Sequence, residues 1–190
     1  TVLTGAYVAS ENLKLPTTTF GHHIATAGKS TDDSAEYIAI PGNVLNVLNS
    51  IPDDDYMHTV KVTGTLDSDG LTAIANAIKN TTTTKDVEID ISDVTVSGTL
   101  DMSNAFKNCT KLKTITLDVN KTPLSSTMFD GCSSLNNVCF HGNVTSWPSG
   151  IFNNCNLISG LDFIDAESVL IPGTDVLTKS GYISDSYILV

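Results

Sequence analysis

Between residues 103 and 163 the apolar positions return on a fixed interval. The stretches "SNAFKNCTKLKTITL" (103–117), "STMFDGCSSLNNVCF" (126–140) and "SGIFNNCNLISGLDF" (149–163) begin 23 residues apart with no gap in register. Ser103, Ser126 and Ser149 share a column, as do Phe106, Phe129 and Phe152, and Cys109, Cys132 and Cys155. Further columns hold Leu112, Leu135 and Ile158; Ile115, Val138 and Leu161; and Leu117, Phe140 and Phe163. A pair two residues apart, such as Ile115 and Leu117, leaves a β-strand on one face. The i, i+3 spacing of Phe106 and Cys109 suits the buried face of a short helical turn. The Ser three residues before each Phe is placed to N-cap that turn. Each unit therefore reads as strand, loop and capped turn. One unit cannot bury its own apolar edge, so the units must stack.

The register persists upstream in weaker form. "ANAIKNTTTTKDVEI" (75–89) keeps Ile78, Val87 and Ile89, with Thr81 and Thr84 in place of Cys and Leu. Aligning Val87 with Ile115 predicts a longer loop near "SDVTVSGTLD" (92–101). "VLNSIPDDDYMHTVKV" (47–62) reads as a copy with extra residues before its strand, while "YIAIPGNVLNVL" (37–48) and "NLKLPTTTF" (12–20) each read as a strand running into a proline. The tail "ESVLIPGTDVLTKSGYISDSYILV" (167–190) predicts another Ile-Pro turn and a final strand in "YILV". Seven or eight strands are expected in one domain. Residues 1–57 form irregular N-terminal repeats or a cap, 58–163 the core repeats and 164–190 a C-terminal cap. "HHIATAGKSTDDSAE" (22–36) lacks apolar periodicity and is read as a loop or insertion.

The unit "AFKNCTKLKTITL" resembles the BspA-like leucine-rich-repeat family, whose pattern runs A-F-x-N-C-x-x-L-x-x-I-x-L on a period of about 23 residues. The other two copies fit with Gly131 in place of Asn, and with Ile158, Leu161 and Phe163 in the apolar columns. The resemblance implies an α/β repeat solenoid: a leucine-rich-repeat horseshoe segment with parallel strands on the concave side and short helical turns or loops on the convex side. It also implies an exported, extracellular or cell-surface protein that recognises or adheres to host or neighbouring-cell surface and matrix proteins. A second reading, of a different class, is a structural spacer within a larger surface protein.

Composition narrows the partners. Against 21 acidic residues stand 10 lysines and no arginine. Nucleic-acid binding needs clustered cations for phosphate and favours Arg for guanine edges, so that class is set aside. No apolar run approaches the ~20 residues of a membrane-spanning helix, and "TVLTGAYVAS" has neither the basic nor the apolar segment of a signal peptide. Threonine is abundant, 25 of 190 residues, in keeping with an exported β-rich chain. A monomer without cofactors is expected.

Candidate chemistry is sparse. Cys109, Cys132 and Cys155 occupy one column and read as small buried apolar residues, not as disulfides; paired C-x-x-C spacing for zinc is absent. Cys139, between Val138 and Phe140, is expected on the exposed concave side with His141 two residues on. A thiol enzyme built on that pair is the remote alternative, because the spacing exceeds hydrogen-bond reach. His22, His23 and His58 are scattered, and "PDDDY" (52–56) reads as a solvated turn, so no metal site is expected. Asn80, Asn108 and Asn143 open glycosylation sequons. The expected ligand face holds Lys61, Glu88, Thr116, Cys139 and Asp162 in one row, with Asp90, Asp118 and His141 in the next, beside Thr63 and Ile164. No large aromatic anchor stands among them, and Trp147 falls in a turn away from the strands.

Overall fold

The computed structural model describes residues 34–168 apart from 55, together with 170, 172 and 176. The strand read in 12–20, the one in "YILV", and His22 and His23 lie outside the described residues. Six strands form one all-parallel sheet: β1 (Ser34–Ala39), β2 (Met57–Val62), β4 (Val87–Asp90), β6 (Leu112–Asp118), β7 (Asn137–His141) and β8 (Gly160–Ile164), hydrogen-bonded in that order. Two short strands, β3 (Thr65–Leu66) and β5 (Thr95–Val96), pair in parallel beyond the strand ends of two successive coils. Consecutive strands of the main sheet are thus spatial neighbours, as stacking of a repeated unit requires.

Two helices back the first coils. In β1, Tyr37 and Ala39 turn inward, and Pro41 opens a 3-10 turn where its missing N–H costs nothing. That turn leads into α1 (Val44–Ser50), which buries Val44 and Leu48. Helix α2 (Ser68–Asn80) is capped by Asp67, whose side chain accepts the Gly70 N–H at 2.8 Å. Leu71, Ile74, Ala75 and Ile78 recur at helical spacing and form its buried stripe. The helix stops at a run of four threonines. There Asn49 of α1 accepts the Thr81 hydroxyl and the Thr82 N–H, both at 2.8 Å, which ties the two helices together.

From residue 103 onward the backing changes. The capped helical turn expected after each Ser does not form, because the next residue is left-handed: Asn104 (φ 58°), Thr127 (φ 55°) and Gly150 (φ 71°). A second left-handed column precedes the cysteines, at Asn108 (φ 60°), Gly131 (φ 79°) and Asn154 (φ 58°). Asn and Gly are the residues that enter this region at least cost, which explains the N-C pairing of the repeat and the exchange of Asn for Gly at 131. The backbone then bonds from coil to coil. Phe106 N–H donates to Met128 O (2.9 Å), Asn108 to Asp130 O (2.8 Å), Phe129 to Ile151 O (3.0 Å) and Gly131 to Asn153 O (2.8 Å).

The columns read from the sequence are stacks in space. The rings of Phe106, Phe129 and Phe152 lie parallel at 5.8 Å per step, and all three are fully buried. Each such ring contributes roughly 2–3 kcal/mol of transfer free energy. The thiols of Cys132 and Cys155 donate to the carbonyls of Phe106 and Phe129, one coil back, both at 3.0 Å. Cys109 reaches Ala75 O at 3.7 Å and so joins the first turn-backed coil to α2. All four cysteines are free and buried. Trp147 packs against Phe140, Phe152 and Phe163 and donates its indole N–H to Leu170 O at 2.6 Å.

Candidate interaction face

Alternate residues of each strand turn away from this core and make the open face of the sheet. Pairing places Ile38, Lys61, Asp90, Thr116, Cys139 and Asp162 in one row across all six strands. Asp118, His141 and Ile164 form the row above it. Below it run Thr59, Glu88, Thr114 and Asn137. This corrects the expected register at β4. Lys61 stands opposite Asp90, not Glu88, and Asp90 belongs one step below Asp118. The offset is two residues, which keeps the same side chains on the open face, and its cause is coil length: Lys61 and Asp90 are 29 residues apart and Asp90 and Thr116 are 26, against 23 for Thr116 and Cys139. A bulge between Val87 and Glu88, where Val87 pairs with Leu112 but Glu88 with Thr114, disturbs the start of the strand as well.

Accessibility divides the expected site residues. Lys61, Asp90, Thr116, Asp118 and His141 are half-buried. Glu88, Cys139 and Asp162 are buried, so the exposed thiol expected at residue 139 is a correction. The Cys139 Sγ lies 3.2 Å from Asp162 Oδ2 and 3.3 Å from Asn137 Nδ2, and Asn137 Nδ2 also donates to Asp162 Oδ2 at 2.8 Å. Burial, and then the adjacent Asp162 carboxylate, push this thiol well above its ordinary range. A nucleophilic cysteine needs the reverse, a depressed value beside a base. His141 is turned elsewhere, with Nδ1 3.6 Å from Asp165 Oδ2. The geometry holds Cys139 as a hydrogen-bonded member of the sheet.

The remaining charges are arranged in short pairs. Lys61 Nζ is 2.7 Å from Asp93 Oδ2; that hydrogen bond lowers the Asp93 carboxyl, and it raises the Lys61 ammonium against partial burial. Asp90 and Asp118 accept the backbone N–H of Ser92 (2.8 Å) and Asn120 (2.9 Å), closing the turns that follow their strands. Lys121 bonds Ser92 O at 2.7 Å and approaches Asp118 at 3.5 Å. Among the described residues the open strand rows carry no Phe, Tyr or Trp. No group of three or more metal-binding side chains occurs among them either.

Among the buried polar groups that sequence reasoning missed are Asn137 and His58. His58, on the core side of β2, is pinned by Asp54, whose Oδ1 accepts from its Nε2 at 2.7 Å and from Tyr56 N–H at 3.0 Å. Partial burial raises the Asp54 carboxyl, but these hydrogen bonds outweigh it and hold the group below its ordinary value. The turn "PDDDY" is therefore a brace and not merely solvated, and its Asp53 pairs with Lys85 at 3.2 Å. The i, i+4 spacing of Asp54 and His58 was the available signal.

A stack of parallel strands with a buried column per coil and an open polar sheet face defines a leucine-rich-repeat protein. The family model for the BspA type leucine rich repeat region matches residues 49–170 in six copies, and the chain belongs to that family. Repeats of this type are interaction or surface modules. The comparisons with curated proteins and with solved structures found no match. Among the described residues no helix is long and apolar enough to cross a membrane.

Proposed function

We propose that the protein is an exported, cell-surface recognition or adhesion module, monomeric and not an enzyme, that binds a protein or glycan partner through the open face of its sheet. The supporting observation is the unbroken row Lys61, Asp90, Thr116, Cys139 and Asp162, with Asp118 and His141 above it. The buried Cys139 and Asp162 of this row, with Glu88 in the row below, fix the shape of the face. Its accessible members meet the partner. Solenoids use such surfaces for recognition, and the natural partners are surface or matrix proteins of a host or neighbouring cell.

Thr116 lies at the centre of the row and is half-buried, so Thr116→Arg adds bulk and charge to the face and costs one side-chain hydrogen bond with Cys139. On a panel of immobilised matrix proteins and glycans, this variant should lose at least tenfold in affinity for whatever the parent binds, while still melting in one cooperative transition. A folded variant that binds as the parent does contradicts the assignment. The spacer reading rests on the absence of Phe, Tyr and Trp from the described open rows, because tight interfaces are centred on such anchors. It predicts that Thr116→Arg is silent and that removing the domain changes only reach.

A further inference from the structure

The charges of the open face are unequally distributed. Glu36, Asp90 and Asp93 surround the single ammonium of Lys61, which Asp93 contacts at 2.7 Å and the other two influence through space. Further along, Asp118 has Lys121 beside it at 3.5 Å, and Asp165 has only the imidazole of His141. Five carboxylates thus share two lysines. The carboxylates of Asp93 and Asp165 are freely accessible, with side chains 56% and 79% exposed. Among the described residues, Lys85 and Lys113 stand at the leading edge of the strands beside Glu88, each paired with its own carboxylate, Asp53 and Asp86, and Lys107 pairs with Asp130 on the turns. At the β1 end of the same face, Ile38 and Ile40 are 59% and 54% exposed, an apolar pair next to the carboxylates.

We propose that the occupant of this face is a lysine- or arginine-bearing segment of a partner protein, its cations set among Asp90, Asp93, Asp118 and Asp165 and an adjoining apolar side chain seated on Ile38 and Ile40. The inference rests on the open-face reading and adds the chemistry of the partner. Charge complementarity commits it to a cationic protein. An anionic glycan or acidic peptide would meet like charge, which costs affinity and slows encounter. A neutral glycan would gain nothing from the surplus negative charge of the face. Because the carboxylates are solvated, the attraction is long-ranged and screened by salt over about 8–10 Å at physiological ionic strength. Specificity then comes from coupling the charges to the isoleucine pair.

The test uses the whole chain and three fluorescein-labelled peptides of equal length: a Lys-rich one carrying two leucines, its Glu-rich counterpart, and an uncharged Ser/Gly version. Fluorescence anisotropy at low salt should show saturable binding of the Lys-rich peptide only. Affinity should fall at least tenfold in an Asp90→Asn/Asp118→Asn double variant, several-fold in Ile38→Ser, and steeply with added salt. Equal binding of the neutral or Glu-rich peptide overturns the proposal. So does Lys-rich binding indifferent to both sets of substitutions, which would reflect only the overall negative charge of the chain. If Thr116→Arg abolishes a partner found on the matrix and glycan panel while Asp90→Asn/Asp118→Asn leaves that partner unaffected, the open face stands as the interface and the basic partner falls. If both variants bind that partner as the parent does, the open-face reading itself has failed.

Discussion

The coils between residues 34 and 81 and those between 103 and 163 support the same sheet with different backs. Helices α1 and α2 satisfy their backbone groups internally and contact the core through a stripe of Leu48, Leu71, Ile74 and Ile78. The cysteine turns place two left-handed residues in each coil and send N–H groups to the next coil's carbonyls. A helix-backed coil is therefore largely self-sufficient in hydrogen bonds, whereas a turn-backed coil is completed by its neighbours. Repeat length does not follow the backing alone. Cys139 and its partner Asp162 are 23 residues apart, and so are Ile38 and Lys61, which flank the coil of the short helix α1. Thr59 and Glu88, which flank the coil of the longer helix α2, are 29 apart.

The sharpest way to break this contrast is Phe129→Ala, which removes the middle ring of the stack. Truncating a buried Phe costs about 3–5 kcal/mol. Hydrogen exchange should quicken in both flanking coils, from 103 to 163, while α2 stays protected. Loss confined to residues near 129 would show that the turn coils are as independent as the helical ones.

Alkaline titration tests the same column chemically. Burial pushes Cys109 up to about 11 and Cys155 up to about 12 from an ordinary 9.0, and it raises Cys132 further. The native state therefore keeps protons that the unfolded chain releases. Their contribution to stability is whole below pH 9 and is lost as the pH rises through 11–12, on the order of 1 kcal/mol per thiol for each unit above the unfolded value. Denaturant melts from pH 8 to 10.5 should show a decline that is smaller in Cys109→Ala/Cys155→Ala. Parallel decline in both proteins would remove the thiols from the account.

The smallest effect belongs to the helical half. Asp67→Ala removes the cap of α2 and should cost about 1 kcal/mol. Exchange should quicken in the first turn of that helix and leave the 103–163 coils unchanged. Spread into the cysteine coils would show tight coupling across the Cys109–Ala75 contact.

How far the sequence could be read depended on the same difference. From 103 to 163 each column recurs without insertion, so the strands β6, β7 and β8, the Phe stack and the thiol column were all legible. At β4 the strand was found but misaligned, since neither the α2 coil nor the bulge at Val87 preserves the interval. The Ser columns suggested helix caps because Ser, Asn and Gly are also the vocabulary of left-handed turns. Cys139 looked exposed because alternation along one strand says nothing about side chains on the next. Its neighbours Asn137 and Asp162 enclose it across the sheet. His58 was read only as one of several scattered histidines, although Asp54 lay four residues away in the sequence.

The measurement that bears most directly on the coil-to-coil core is a thiol count with a chromogenic disulfide reagent, made without reductant on native and then on denatured protein. The account predicts no fast-reacting thiol in the native state and four after denaturation. Rapid reaction of Cys109, Cys132 or Cys155 in the folded protein, or fewer than four thiols once it is unfolded, would contradict the stacked column. Rapid reaction of Cys139 alone would return it to the exposed face.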